Sequence, residues 1–255
     1  MAVVPLTTIS DTIATLLRIA ELPDFGGAMN GLQLQNASGT VVRLLAAVDA
    51  SLPVMQKAAA FPGPSLLLVH HGMFWKGAQM ITGAHFAKLQ TALQADLALY
   101  SAHLPLDVHP QLGNNACLAA ALGLGETEPF FDWKGMALGL RAKVNLSRET
   151  LTALLSKAVG GPVHVCPGGP QWVREVGLIT GGAGSEVSAI AATGVDTFIT
   201  GEGPHWSYPD AEEAGINVLY GGHYATETFG VKALAAHLGK HFGLPWEFID
   251  HPTGL

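Results

Sequence analysis

Charge is what this chain has least of. Only 13% of its 255 residues are Asp, Glu, Lys or Arg, about half the usual share of roughly 25%. So thin a charged surface points to burial against other copies of the chain, because obligate interfaces are more apolar than free surface. Cations are the scarcer sign: 13 Lys and Arg against 20 Asp and Glu give a net charge of −7 at pH 7. No basic stripe advertises nucleic acid. The acidic balance leaves phosphate ligands open, since bound metal ions can dominate a local field. There are two cysteines, Cys117 and Cys166. They form no C-x-x-C pair and no disulfide framework, which fits a reducing compartment and two buried small hydrophobes. No apolar run approaches the ~18 residues of a membrane span. No basic segment followed by an apolar stretch opens the chain. The expectation is a cytoplasmic protein with no membrane contact.

Two familiar catalytic devices are missing as well. No Gly-x-Ser-x-Gly elbow exists, so a serine triad has no support. The run Gly181-Gly182-Ala183-Gly184 lies between an expected strand and helix, where backbone N–H groups can cradle phosphate. No Lys-Ser or Lys-Thr follows it, and a plain tight turn is the better reading.

What is present is a large apolar share, 49%, in alternating short runs. Strands are expected over 41–48, 65–69, 97–102, 173–180, 196–200, 216–220 and 246–249. Helices are expected over 10–20, 53–60, 84–94, 110–122, 185–193, 204–214 and 226–242, with residues 125–135 as a loop. The second half repeats the strand–helix order of the first. This predicts an α/β protein with much parallel pairing and two internally duplicated α/β halves, residues 1–125 and 126–255, sharing a metal site. In such sheets ligands gather at the carboxyl ends of strands.

Three motifs stand at those ends. His70-His71 closes one apolar run. Leu99-Tyr100-Ser101-Ala102-His103 is followed by Asp107, and Leu219-Tyr220-Gly221-Gly222-His223 by Glu227. A His and a carboxylate four residues apart share a face if a helical turn begins there. Adjacent histidines on a strand would point to opposite faces, so His70 and His71 can serve one cluster only if the backbone turns, which Gly72 permits. Imidazole with carboxylate suits Zn, Fe, Mn, Ni or Co. Without thiolates, a closed structural zinc site is disfavoured. Asp107 or Glu227 could bridge two metals, while His103 and Glu202 could be ligands, proton-transfer groups or partners of ligands. His205 reads as a solvent-facing histidine at a helix start.

These residues carry a family likeness. His70-His71-Gly72-Met73-Phe74-Trp75-Lys76-Gly77 resembles the His-His-x-x-Phe-Trp-Lys-Gly block of the GTP cyclohydrolase 1 type 2 homologue family of dinuclear-metal-centre hexameric proteins. Residues Ser101 to Asp107 with Gly113-Asn114-Asn115 resemble its second block, and Gly221 to Glu227 its third. Met29-Asn30-Gly31-Leu32-Gln33-Leu34 resembles its N-terminal segment. The resemblance implies two divalent metal ions per chain, ligated by His70, His71, Asp107, His223 and Glu227, with Glu227 as the bridge and His103 close by. It also implies that the two duplicated α/β halves are intertwined in one compact unit, and that the protein is a homohexamer.

The expected function is that of a metal-dependent hydrolase acting through a metal-bound hydroxide. Its substrate would be a nucleotide or another small phosphorylated or cyclic-amide compound, with His103 or Glu202 moving the proton. The alternative is a non-catalytic metal-binding regulatory or scaffold protein. Nucleic-acid binding stands last, against the acidic charge.

Overall fold

The computed structural model describes residues 2–255. They group into two compact units, residues 2–106 with Val231–His251 and Asp107–Gly230 with Pro252–Leu255. The chain therefore leaves the first unit at Leu106, returns at Val231 and leaves again at Pro252.

The first unit opens with β1 (Val4–Pro5), α1 (Leu6–Leu16), β2 (Gly31–Leu34) and β3 (Thr40–Val41). Ile9, Ile13 and Leu17 recur at helical spacing and are fully buried, which is why α1 forms where it does. A strand–helix series follows: β4 (Arg43–Asp49), α2 (Leu52–Ala59), β5 (Ser65–His71), α3 (Gly83–Gln94) and β6 (Leu97–Ser101). The Ser51 hydroxyl caps α2 by accepting from Val54 N–H, and Pro53 sits in its first turn, where its missing N–H costs nothing. Strands β4, β5 and β6 are parallel and adjacent. Their all-apolar runs are buried on both faces, as parallel strands require. Leu45, Leu67 and Leu99 from the three strands share a core with Met55 and Ala92 from α2 and α3. A single helical turn, α4 (Leu104–Asp107), comes next.

The second unit contains α5 (Asn114–Leu122), β7 (Glu128–Trp133), β8 (Met136–Ser147), α6 (Arg148–Val159), β9 (His164–Pro167) and β10 (Trp172–Leu178). A 3₁₀ turn, Ala183–Glu186, leads into α7 (Val187–Ala191), β11 (Thr197–Thr200), α8 (Ser207–Ala214) and β12 (Asn217–Tyr220). Helix α9 (His223–Phe242) starts in this unit, and β13 (Trp246–Phe248) completes the first. The two sheets run β13-β4-β5-β6-β2 and β7-β8-β10-β11-β12-β9. The parallel series β10-β11-β12 repeats β4-β5-β6, so the duplicated α/β plan read from the sequence is present.

Two expectations differ from the structure. Residues 125–135, expected as a loop, hold β7, which pairs antiparallel with β8. Pro129 is tolerated because β7 is a sheet edge, and Phe130 is anchored where a Cβ at Gly177 would come within 2.7 Å of its ring. The division between halves falls at 106/107 rather than 125/126. Leu118, Ala119 and Leu122 of α5 pack with Leu151 and Leu155 of α6 in the second unit, while β13 pairs with β4 in the first.

Candidate functional site

In the first unit, three histidines meet at the carboxyl ends of β5 and β6. His70 and His71 are the last residues of β5, and His103 follows β6 by two. One ring nitrogen from each lies within 4.8 Å of the others. Ring centroids are 4.8 Å apart for His70–His71 and 4.7 Å for His70–His103. Trp75 stands edge-on to His103 at 4.7 Å. Strand alternation does not keep His70 and His71 apart, because the pair sits where the strand stops. Gly72 is required there for a different reason than a turn. A Cβ would collide with the Gln33 amide, whose Oε1 accepts from Met73 N–H at 2.8 Å.

Each imidazole is held by an oxygen. His70 Nδ1 donates to the Ala102 carbonyl at 2.9 Å. His71 Nδ1 donates to Asp49 at 2.9 Å, from the residue directly opposite on β4. His103 Nδ1 donates to Asp24 Oδ1 at 2.8 Å. Carbonyl and carboxylate oxygens only accept, so Nδ1 carries the proton and Nε2 is the nitrogen that could serve as a metal ligand. Asp24 is itself braced. Its Oδ2 accepts from Asn30 Nδ2 at 2.7 Å and from Leu104 N–H at 3.0 Å, and Asn30 Oδ1 accepts from His103 N–H at 2.7 Å. Burial pushes the Asp24 carboxyl up, but the hydrogen bond and charge of His103, with Asn30, outweigh it and hold it below the usual carboxylate range.

In the second unit, His223 opens α9 and Glu227 lies one turn on, with Nε2 and Oε1 3.1 Å apart. The i, i+4 reading of this pair holds. Nδ1 of His223 donates to Glu202 Oε1 at 2.8 Å. Burial pushes the His223 imidazole down, yet Glu227 and Glu202 together lift it to about 9. Glu227 is buried. So is Asp107, which accepts from Asn114 Nδ2 at 2.7 Å and from the Thr180 hydroxyl at 3.4 Å.

The glycine run after β10 belongs to this region but cradles nothing. Gly181 N–H donates to Thr226 Oγ1, Ala183 N–H to Thr200 Oγ1 and Gly184 N–H to the Glu202 carbonyl. With these amides engaged inside the unit, the run is a close-packed turn. Gly181 adopts φ +72°, and a Cβ there would strike Glu227 Oε1.

Within the first unit the ring nitrogens of His70, His71 and His103 gather together; within the second, His223 and Glu227 are in contact, and Asp107 is buried against Asn114 and Thr180. The donor types fit a divalent metal of the Zn, Fe, Mn, Ni or Co group. Glu202 is the orienting partner of His223, and its side chain is 42% exposed. His205 is exposed. Cys117 and Cys166 are unbridged. Asp24 and Asp49 were not legible. Asp24 stands 79 residues from the histidine it serves, and no local spacing marks it. Asn30 and Gln33 had one signal, the N-terminal segment of the family likeness. No helix among the described residues is long and apolar enough to cross a membrane.

Comparison with known proteins agrees with this layout. The model of the Duf34/NIF3 family (NGG1p interacting factor 3) matches residues 6–253. The chain is 44% identical over 241 residues to the GTP cyclohydrolase 1 type 2 homolog of Deinococcus radiodurans, covering 94% of this chain and 90% of that protein. It is 40% identical over 246 residues to the protein of the same name from Halobacterium salinarum, covering 94% and 95%. Among solved structures, TTHA1606 from Thermus thermophilus superposes with a TM-score of 0.88 at 40% identity, covering 98% of this chain and all of that one. This chain belongs to the Duf34/NIF3 family.

Proposed function

We propose that this chain is a dinuclear metal-binding protein and works as a metal-dependent hydrolase. Two divalent ions per chain would be held by His70, His71, Asp107, His223 and Glu227, with His103 as a further ligand. The observation that carries this reading is the set of four Nδ1 contacts, at 2.8–2.9 Å, from His70, His71, His103 and His223 to a carbonyl or carboxylate. Outer partners of this kind fix the tautomer of metal-ligating histidines and raise their basicity. When bound, such ions supply Lewis acidity and make a water acidic enough to ionise near neutral pH.

The chain's own residues would do the rest. Asp24, Asp49 and Glu202 orient imidazoles. Asp107 and Glu227 supply carboxylate oxygens, and Gly181 leaves room for the second. Of the two groups expected to move the proton, Glu202 is better suited. His103 is 8% exposed and clustered with His70 and His71, whereas Glu202 lines an open cleft and has a second oxygen besides the one on His223. The name shared by the curated relatives favours a nucleotide or related cyclic-amide compound as substrate. We also propose a homohexamer, supported by the exposed Met80, Ile81, Phe86 and Leu93 and tested by light scattering.

The test of the site is metal content per chain, by elemental analysis of protein purified without tag or chelator, beside Glu227→Ala. About two metals, falling sharply in the variant, is expected. No metal after supply of Zn²⁺, Mn²⁺ and Fe²⁺ would overturn the reading. Two metals retained with no turnover across a hydrolase panel would leave a metal-holding scaffold instead.

A further inference from the structure

Glu202 does more than face His223: it forms part of the wall of a cleft of about 720 Å³ that lies wholly within the second unit. The cleft's other polar or aromatic walls are His164, His205, Ser207, Tyr208 and Tyr220, and the remaining lining is largely Pro, Gly and aliphatic. The rings are organised. His164 and Tyr220 are directly opposed across the β9–β12 ladder, 6.1 Å apart and nearly parallel at 24°. Tyr208 stands 6.0 Å from His164. Ser207, itself buried, fixes the Tyr220 hydroxyl at 2.5 Å and donates to the Pro204 carbonyl at 2.6 Å. The orientation of the tyrosine is thus set before any ligand arrives.

The charge of the cleft is equally specific. No Lys or Arg lines it, and Glu202 is the one Asp or Glu among its walls. Phosphate recognition relies on Arg, Lys, an open helix N-terminus or metal, and the amides of Gly181, Ala183 and Gly184 nearby are already engaged. A carboxylate among aromatic faces instead favours a flat ring with an N–H edge, stacked on the rings and donating to the acid.

We propose that this cleft is the substrate-recognition site of the proposed hydrolase and takes an uncharged, planar, N–H-bearing heterocycle of the lactam or nucleobase type, with no anchor for a phosphate. This rests on the metal-site reading and narrows its substrate class. The probes are hypoxanthine and uracil, with inosine 5′-monophosphate and inorganic phosphate as the anionic arm, titrated calorimetrically into the full-length metal-bearing protein. At least one base is expected to bind saturably. Binding should weaken at least about fivefold, the scale of one lost stacking contact, in His164→Ala or Tyr208→Leu. His164 is exposed on an edge strand, so the first variant does not depend on the core. Glu202→Gln should weaken the base further, while inorganic phosphate, which the proposed metal ions could hold, should not compete with the base. The proposal is overturned if neither base binds saturably to folded protein, if binding is unchanged in both ring variants, or if the monophosphate binds tighter than its base. Metal content measured on the same samples reports separately on the metal-site reading.

Discussion

Replacing Asp24 by Asn tests whether the outer carboxylates tune the site or only fill space. The carboxylate is 7% exposed and accepts four hydrogen bonds. Oδ1 takes Phe25 N–H at 2.6 Å and His103 Nδ1 at 2.8 Å. Oδ2 takes Asn30 Nδ2 at 2.7 Å and Leu104 N–H at 3.0 Å. Whichever oxygen becomes NH₂ then meets two donors, so two of the four bonds are lost and the rest become neutral. At about 1–3 kcal/mol for each buried bond broken, the cost in stability is roughly 2–6 kcal/mol. The larger signal is at the metal. Loss of an outer partner of a ligating histidine weakens binding about tenfold to hundredfold. The assay is competition against a chromophoric chelator at fixed pH, with folding checked by denaturant titration and the exposed Glu126→Gln as the charge-matched control. A folded Asp24→Asn protein that holds metal as tightly as Glu126→Gln would refute the argument and make Asp24 purely architectural.

Three other perturbations have clear expectations. Gly181→Ala places a methyl against Glu227 Oε1 at φ +72° and should lower both stability and metal content, whereas Gly194→Ala, also at positive φ but with nothing within 4 Å, should cost only the ~1–2 kcal/mol of backbone strain and leave metal content intact. In metal-free protein, His223 has its folded value raised to about 9 from an unfolded value near 6.5. The stabilisation it contributes is therefore full below about pH 6.5 and lost as pH rises through about 9; chemical denaturation across that window should show a decline that Glu202→Gln reduces. Cys166 is fully buried, and burial, with Glu212 nearby, pushes its thiol up to about 11; a disulfide reagent at pH 8 should label it only as the protein unfolds, and rapid labelling of native protein would contradict the packing.

The parts of the molecule that read plainly from sequence are those whose chemistry is local. His223 and Glu227 are four residues apart and start a helix, so their contact follows from helical geometry alone. The apolar runs before His70 and His103 could only be buried strands, which put both at a sheet's carboxyl end. What did not read plainly depends on partners distant in the chain. Asp49 reaches His71 only because β4 and β5 pair in one register. Asp24 reaches His103 only through a loop with no periodicity. The hairpin of β7 and β8 was hidden by Pro129 and by three aromatics that resemble a loop's punctuation. Its strand character comes from Phe130 packing at Gly177, a contact made across the sheet. The return of residues 231–251 to the first unit follows from β13 pairing with β4, which no sequence order announces.

The register of β4 against β5 has a consequence for how the protein matures. Asp49 faces His71 only in the native alignment; a slip of one residue would set Val48 or Ala50 there and turn the carboxylate to the other side of the sheet. The imidazole would then lack the acceptor that selects its tautomer. If the first unit's histidines take up metal as proposed, loading them is a check on strand alignment that a misaligned chain fails. In refolding experiments with metal present from the start, uptake should lag behind the burial of the β4–β6 core and coincide with the last step of sheet assembly.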